Sequence, residues 1–197
     1  MPRVSPEHLA ARRQQIVDAA GRCFLRNGFH QTTMQDVIAE AELSVGAVYR
    51  YFPSKHDLIA AIAESVVGGA DRIFAELAEE EPPLPVIEVM DRALDYMDAN
   101  SGADGRLRIA LQVWAESLRD PALAEMVASK YAGIRAQFAV VVQRAQRSGE
   151  LPSDADVEGV AAALFGLVLG YLLQRILTGR PDRATYFAGL RALLADA

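Results

Sequence analysis

The chain has 197 residues, 51% of them apolar, which fits one ordinary domain or a small domain joined to a larger one and suffices for a packed core. Its single cysteine, Cys23, excludes an intrachain disulfide and fits a reducing compartment. No signal peptide and no apolar run of about 18 residues is visible in the sequence, which predicts a cytoplasmic protein with no membrane partner. The net charge of −6 divides into +1 over residues 1–58 (seven Lys or Arg, six acids) and −7 over the rest, so the acidic total does not exclude a DNA-binding front section.

Helical patterning is predicted along the whole chain, and the alternating β-branched segments that would indicate strands are nearly absent. A first helix is expected at about 6–27, where four residues share one face at helical spacing: Ile16, Ala20, Cys23 and Phe24. Gly28 then ends it, because glycine readily adopts the left-handed conformation found at helix C-termini. Cys23 on this face is interpreted as a small apolar residue rather than a nucleophile.

Two short helices are predicted next, at 33–41 and 45–52. The first presents an apolar stripe made of Met34, Val37, Ile38 and Ala41. Ser44 is the expected N-cap of the second, and Pro53 prevents its continuation. Two short helices joined by a turn of about three or four residues form a helix-turn-helix, and in DNA-binding versions the second helix enters the major groove.

The rest of the chain is also predicted to be helical. Ser54 and Asp57 form a capping-box pattern that starts a fourth helix, which extends past the flexible pair Gly68 and Gly69 to about Glu80. A proline-rich break follows, and then five more helices at about 85–100, 106–119, 121–148, 154–178 and 182–195. The sequence therefore predicts an all-α fold of about nine helices, with a three-helix domain at 1–55 and a helical body at 56–197.

The outward face of the second short helix suits a bulky partner. Gly46 and Ala47 carry almost no side chain, and a glycine inside an exposed helix costs about 1 kcal/mol relative to alanine. That cost is easier to explain if a duplex must approach the backbone. Arg50 has the donor geometry that matches guanine, whereas the hydroxyls of Tyr49 and Tyr51 suit phosphates, unless those rings are packing residues instead. The neighbouring Val45 could contact a thymine methyl group.

Lys55 gives an independent indication of a phosphate partner. It lies in the first turn of the fourth helix, where a cation opposes the helix dipole. A phosphate there would satisfy both the lysine and the free backbone N–H groups, and Thr33 offers a second clamp by the same logic. Such contacts would position the protein, whereas Arg50 and Gln35 would read base sequence.

Residues 28–55 resemble the N-terminal signature of the TetR family of transcriptional regulators. The resemblance rests on paired threonines after a glycine and an aromatic residue, then on Ser-x-Gly-Ala-x-Tyr-x-Tyr-Phe and Pro-Ser-Lys. Three positions depart from the family pattern. Glu42 stands in place of the usual turn glycine, Ile38 in place of a common alanine, and Val45 in place of a common lysine or arginine.

The resemblance implies an N-terminal three-helix helix-turn-helix DNA-binding domain followed by a helical ligand-binding and dimerisation domain. It also implies a homodimer that binds a palindromic operator in double-stranded DNA, usually represses transcription and is released by a small-molecule inducer of unknown identity. From the residues themselves, no cofactor, metal or enzyme activity is expected. Carried over by position, it marks as DNA-facing Thr33, Ser44, Gly46, Ala47, Tyr49, Tyr51 and Lys55, with Gln35, Val45 and Arg50 at the specificity-setting positions.

The predicted helix 154–178 carries the expectation of a dimer. It is apolar almost all round, which requires burial on nearly every side. With the last helix it could form a four-helix bundle with the same pair from a second subunit. The residues assigned to this interface are Phe165, Gly166, Leu169, Gly170, Leu173, Phe187, Leu190 and Leu194. The alternative is that both helices are buried within their own subunit.

The resemblance also implies an inducer pocket in the body, for which the sequence offers only candidates. They are large side chains with two polar neighbours: Phe74, Met90, Tyr96, Gln112, Trp114, Glu116, Phe138 and Phe165. A buried Glu116 would favour a cationic or hydroxylated ligand. The fourth helix joins the DNA-reading helices to the body, so we expect it to transmit ligand binding by changing the spacing of two recognition helices.

Three other functions compete with a ligand-released repressor. An enzyme is disfavoured, because the sequence has no phosphate-cradling glycine loop, metal-ligand cluster or nucleophile elbow. A helical ligand-binding or scaffold protein that has lost DNA binding is disfavoured by the intact set of Thr33, Tyr49 and Lys55. An activator instead of a repressor is compatible with the sequence.

Overall fold

The computed structural model describes residues 5–102 and 105–194, and it is all-helical over these ranges. The described part contains nine helices: α1 Pro6–Gln31, α2 Met34–Ala41, α3 Val45–Tyr51, α4 Lys55–Glu79, α5 Val86–Asn100, α6 Arg108–Ser117, α7 Pro121–Ser148, α8 Val157–Thr178 and α9 Arg183–Leu194. The predicted all-α fold of about nine helices is confirmed. Most bounds differ from the predicted ones by three residues or fewer.

The end of α1 differs from the sequence prediction. Gly28 has a positive φ, as expected, but its angles of 76° and 168° are extended in ψ rather than left-handed helical. The chain therefore changes direction at Gly28 and then makes one further turn, so that α1 ends at Gln31 instead of Asn27. We call residues 28–31 the terminal turn of α1.

The first three helices form an N-terminal unit around a small apolar core. Phe24 and Phe29 pack edge to face with ring centroids 4.8 Å apart, which anchors the terminal turn of α1 against its own helix. Val37 of α2 and Val48 of α3 are fully buried in the same core. These contacts fix α3 with one side inward and the other toward solvent.

The remaining helices form the body, and α4 connects the two parts. It packs against α1 on one side and most extensively against α7 on the other, while α5 packs against α8 and α9. One continuous cluster of buried residues runs from Ile16 in α1 to Leu190 in α9. The division into domains at 55/56 stays a prediction, because α4 contributes to both sides of it.

The paired glycines in α4 do not interrupt the helix. A Cβ atom added to Gly69 would lie 2.8 Å from the Tyr96 hydroxyl oxygen, so this glycine permits close packing of α4 on α5. No described heavy atom lies within 4 Å of the corresponding position at Gly68. Close packing therefore accounts for the glycine at position 69 but not for the one at position 68.

Helix α8 is long and apolar enough, by length and composition, to cross a membrane. Only 39% of the residues in its most apolar stretch are buried within the subunit. An apolar helix that is only partly buried in its own subunit is also expected where two subunits meet.

Candidate nucleic-acid interface

The recognition helix α3 begins and ends as its sequence predicts. The Ser44 hydroxyl accepts a hydrogen bond from the Ala47 N–H at 3.3 Å, and Ser44 is extended, as an N-cap should be. At the other end Phe52 leaves the helical conformation immediately before Pro53. Val48 and Phe52 point into the core of the N-terminal unit, so the opposite side of α3 faces outward.

This outward side is a shallow surface with little side-chain bulk. Val45 is 52% exposed and Tyr49 is 43% exposed, and their spacing of four residues puts them on the same side of α3. Gly46 and Arg50 are exposed beside them, and Ala47 and Tyr51 are half-buried at the edge. A Cβ atom added to Gly46 would have no described heavy atom within 4 Å. Packing within the subunit therefore does not require a glycine here, and the bare backbone is open to an external partner.

Thr33 has a role within the protein in addition to its predicted phosphate contact. It forms a capping box with Asp36, whose carboxylate oxygen Oδ2 accepts from both the N–H and the hydroxyl of Thr33 at 2.7 Å. These bonds hold the pKa of Asp36 below its usual range. The hydroxyl proton is thus donated within the protein, where Thr33 fixes the start of α2; its contact with a phosphate stays a prediction. Gln35 is exposed on the first turn of α2.

Lys55 is also engaged within the subunit. Its Nζ donates to the carbonyl oxygens of His30 and Thr32 at 3.3 and 3.0 Å. The ammonium group therefore stabilises the carbonyl end of the terminal turn of α1, where a cation is electrostatically favoured. These two hydrogen bonds offset the unfavourable interaction of the Lys55 charge with the dipole of α4, without a phosphate. An ammonium has a third donor, which leaves Lys55 able to contact DNA as well.

The turn between α2 and α3 accommodates the predicted departure at Glu42. This residue adopts the left-handed conformation, with φ 54° and ψ 41°. Its N–H donates to the Ala39 carbonyl at 3.1 Å, which closes the end of α2. The turn geometry that a glycine would give is thus reached by a glutamate.

Two arginines of α1 share one carboxylate of α2. Arg22 and Arg26 both contact Glu40 of α2 at 2.6 Å, and these bonds hold the pKa of Glu40 below its usual range. Cys23 lies beneath them, and burial raises the pKa of its thiol. A protonated, buried thiol agrees with the interpretation of Cys23 as an apolar packing residue.

Most of the predicted pocket residues in the body lie in its apolar core or pack against it. Phe74, Met90, Phe138 and Phe165 are buried core residues, and Phe138 packs between Phe74 and Phe165. Tyr96 instead lines an open groove between α4 and α5. Trp114 is half-buried and donates from Nε1 to the hydroxyl of Tyr131 on α7, whose pKa burial raises to about 12.

The two polar pocket candidates point elsewhere, which corrects the expectation that they flank a pocket beside Trp114. The side chain of Gln112 is bonded to the backbone of α1, with Phe29 N–H 2.8 Å from Oε1 and Phe24 O 3.1 Å from Nε2. Glu116 faces His30 in the terminal turn of α1 at 3.6 Å. Both residues thus lie between the body and the N-terminal unit. The sequence gives no signal for this, because the partners are more than 80 residues away.

The residues assigned to a dimer interface divide into an outer and an inner set. Gly166 and Leu173 are exposed, and four others are half-buried: Leu169, Gly170, Phe187 and Leu194. Phe165 and Leu190 are only 4% and 2% exposed, so the structure corrects their assignment. Phe165 packs edge to face on Tyr131 inside the subunit, because α8 turns that side toward α7.

A tightly packed three-helix unit that presents an open, capped third helix is the architecture found in helix-turn-helix DNA-binding proteins. Residues 16–62 match the family model described as bacterial regulatory proteins, tetR family, and residues 89–197 match that of the C-terminal part of BetI-type transcriptional repressors. The chain belongs to the TetR family of transcriptional regulators.

Individual relatives and solved structures agree along nearly the whole chain. The regulator UidR of Escherichia coli K12 is 28% identical over 92% of this chain and 90% of its own. A transcriptional repressor of Mycobacterium tuberculosis is 30% identical over 93% of this chain and 92% of its own. The structure of Salmonella enterica GusR is 28% identical, with a TM-score of 0.75 over 99% of this chain and 98% of that one.

Proposed function

We propose that two copies of this chain bind one palindromic DNA operator and repress transcription in the cytoplasm, and that a small molecule bound in the body releases them. The observation that carries DNA reading is the exposed side of α3, where Gly46 lies open beside Val45, Tyr49 and Arg50. An exposed helix interior selects against glycine unless close approach to the backbone is useful.

The assignment of roles follows from the chemistry of this surface. Arg50 is exposed on α3 and can donate two parallel hydrogen bonds to a guanine edge, which makes it the residue that reads sequence. Tyr49, Tyr51 and the remaining donor of Lys55 suit phosphates, which set position rather than sequence. Gln35 and Val45 lie at the first turns of α2 and α3, where they complete the reading surface.

The homodimer is supported by the uncovered apolar side of α8 and α9. Leu173 and Leu177 on α8 are 39% and 65% exposed, and Leu193 on α9 is 73% exposed. Gly166 and Gly189 leave open space on the same two helices. The same helices of a second copy would cover this apolar surface and form a four-helix bundle. A two-fold axis of that kind matches a palindromic operator.

Release by a small molecule is supported by what similar proteins bind. A structure of SmeT, 26% identical with a TM-score of 0.76, contains triclosan, and a regulator from Saccharomonospora viridis, 26% identical with a TM-score of 0.74, contains choline. One of these ligands is a neutral aromatic compound and the other an organic cation. Their chemical difference supports a ligand-responsive body while leaving the ligand class open.

The test is binding of the purified chain to duplexes that flank its own coding region, across a series of salt concentrations. We expect a dissociation constant on the order of nanomolar for one duplex and a steep loss of affinity with salt. Arg50→Ala should flatten the preference among single-base variants of that duplex, with each base contact accounting for about 1–3 kcal/mol of discrimination.

The matched control is Arg147→Ala, which removes an exposed arginine from the end of α7 in the body. It should leave both affinity and sequence preference unchanged. Equal sequence preference in Arg50→Ala and the parent chain would contradict the assignment of base reading to Arg50. Failure to bind any duplex at low salt would contradict the proposed function itself.

A further inference from the structure

The side chain of Gln112 completes the backbone hydrogen bonding of a helix in the other part of the molecule. Gly28 interrupts α1 with angles that no helix contains, and such a break exposes backbone donors and acceptors. The Gln112 amide serves both sides of the break. Its Nε2 donates to Phe24 O before the break, and its Oε1 accepts from Phe29 N–H after it. A glutamine has the donor and the acceptor that this pairing needs.

The segment that Gln112 holds is itself tied to the DNA-reading helices. The Thr32 hydroxyl donates to the Gly28 carbonyl at 2.8 Å, and Lys55 donates to the carbonyls of His30 and Thr32. Thr32 directly precedes Thr33, the N-cap of α2. Bonds that do not involve Gln112 thus hold the terminal turn of α1 to the start of α2, so this turn and the two following helices move as one unit.

On its other side Gln112 belongs to the body. It lies on α6 next to Val113, which is buried, and two residues before Trp114, which bonds to Tyr131 of α7. A shift of α6 against α7 would carry the Gln112 amide with it. The hydrogen bonds to Phe24 and Phe29 would then transmit that shift to the N-terminal unit.

Other polar contacts between the two parts lie nearer to solvent. His30 and Glu116 are 3.6 Å apart with the histidine side chain 82% exposed. Asp18 and Arg106 form a further pair at the surface. Exposed ion pairs hold a geometry weakly, because water and salt compete for them. The half-buried amide of Gln112 is the contact best placed to define an angle.

We propose that Gln112 is a positioning residue for operator binding, through which the body sets the orientation of the DNA-reading unit. The inference rests on the proposed function, in which two such units must fit half-sites at a fixed spacing. Gln112 touches no DNA in this scheme. Its loss leaves each recognition helix intact but lets the angle between unit and body vary.

The experiment compares three duplexes bound by the full-length protein. They are the best palindrome that the parent chain selects from random DNA, the same palindrome with one base pair inserted at its centre, and a single half-site. An insertion moves one half-site by about 3.4 Å and turns it by about 34°, since B-DNA repeats every 10–10.5 base pairs. The parent chain should bind the uninterrupted palindrome much more tightly than the other two.

For Gln112→Leu we expect parental affinity for the half-site and about tenfold weaker binding to the palindrome, which corresponds to about one net hydrogen bond. The inserted base pair should also reduce the affinity of this variant by a smaller factor than it reduces that of the parent chain. Gln112→Glu should behave likewise, because its carboxylate repels Phe24 O. The control is Gln146→Leu, which removes two similar bonds, to Pro152 O and Ala155 O, inside the body. It should bind all three duplexes as the parent does. Amide hydrogen exchange at Phe29 in DNA-free protein should accelerate in Gln112→Leu, which removes the acceptor, and not in Gln146→Leu.

Two outcomes would overturn the positioning role alone. In the first, the inserted base pair reduces the DNA affinity of Gln112→Leu by the same factor as that of the parent chain; in the second, Gln112→Leu loses affinity for the half-site and the palindrome equally. The second would mean damage to the unit itself. A parent chain with no preference for two half-sites over one would instead overturn the proposed function, and this inference with it.

Discussion

Several residues of the N-terminal unit hold the unit together and border its DNA surface at once. Thr33 and Lys55 were predicted as phosphate contacts, yet the first caps α2 and the second stabilises the terminal turn of α1. Any loss of DNA binding on replacing them therefore combines a lost contact with a loosened fold. Arg50 is exposed and bonded to no described neighbour, so the change in DNA affinity on replacing it reports on a lost DNA contact rather than on a loosened fold.

At the scale of single residues, Glu42 makes a sharp prediction for stability. A left-handed conformation costs a non-glycine residue about 1–2 kcal/mol, partly offset by the greater freedom that glycine has in the unfolded chain. Glu42→Gly should therefore stabilise the protein by up to about 1 kcal/mol, which raises Tm by about 2–4 °C in a chain of this size. Thermal unfolding followed by circular dichroism measures it.

The matched replacement for this prediction is Glu76→Gly, at an exposed site inside α4. There the backbone is ordinary helix, so glycine should destabilise by about 1 kcal/mol. A lower Tm for Glu42→Gly than for the parent chain would show that Glu42 makes a favourable contact that outweighs its backbone strain.

At the scale of one element, the start of α2 should respond to acid. The bonds from Thr33 lower the pKa of Asp36 in the folded state, so the carboxylate stabilises the fold above its unfolded pKa. This contribution is lost as the pH falls through the lowered folded pKa. Asp36→Asn should reduce stability at neutral pH, and the difference from the parent should shrink progressively below about pH 4.

Chemical denaturation at a series of pH values measures this difference. Glu125→Gln, an exposed acid on α7, is the matched control and should track the parent at every pH. A gap between Asp36→Asn and the parent that stays constant down to low pH would mean that the charge of Asp36 does not contribute to the cap.

At the scale of the whole molecule, the uncovered side of α8 predicts the oligomeric state. Leu173 and Leu177 lie on it four residues apart, and the dimer proposed above would bury both. Replacing both with glutamate should give a folded monomer, because paired subunits would have to bury four like charges. Sedimentation velocity measures the mass, and affinity for a palindromic duplex should fall toward that for a half-site.

Leu118→Glu is the control for added charge, since this leucine is 87% exposed at the end of α6. It should leave the mass and the DNA affinity unchanged. A double glutamate variant of α8 that still sediments as a dimer would mean that the subunits associate through another surface.

The helices, their caps and the recognition surface could be predicted from the sequence, because each is determined by residues close together in the chain. Ser44 caps α3 three residues from its partner, and Pro53 stops the same helix two residues beyond its last. Burial of one side of α2 follows from spacing alone. The family signature lies wholly within residues 28–55, so the sequence is sufficient to predict both the class of protein and its fold.

Only the tertiary structure decided what the long polar side chains contact and which side of an apolar helix stays open. The partners of Gln112 and Lys55 lie 23 to 88 residues away in the chain, and no local pattern specifies a contact over that distance. Phe165 and Leu173 look equivalent in a helix that is apolar almost all round, yet packing on α7 buries the first, and the second stays exposed. Local hydrogen bonding and periodicity make helices, whereas the destination of a side chain depends on how those helices are packed together.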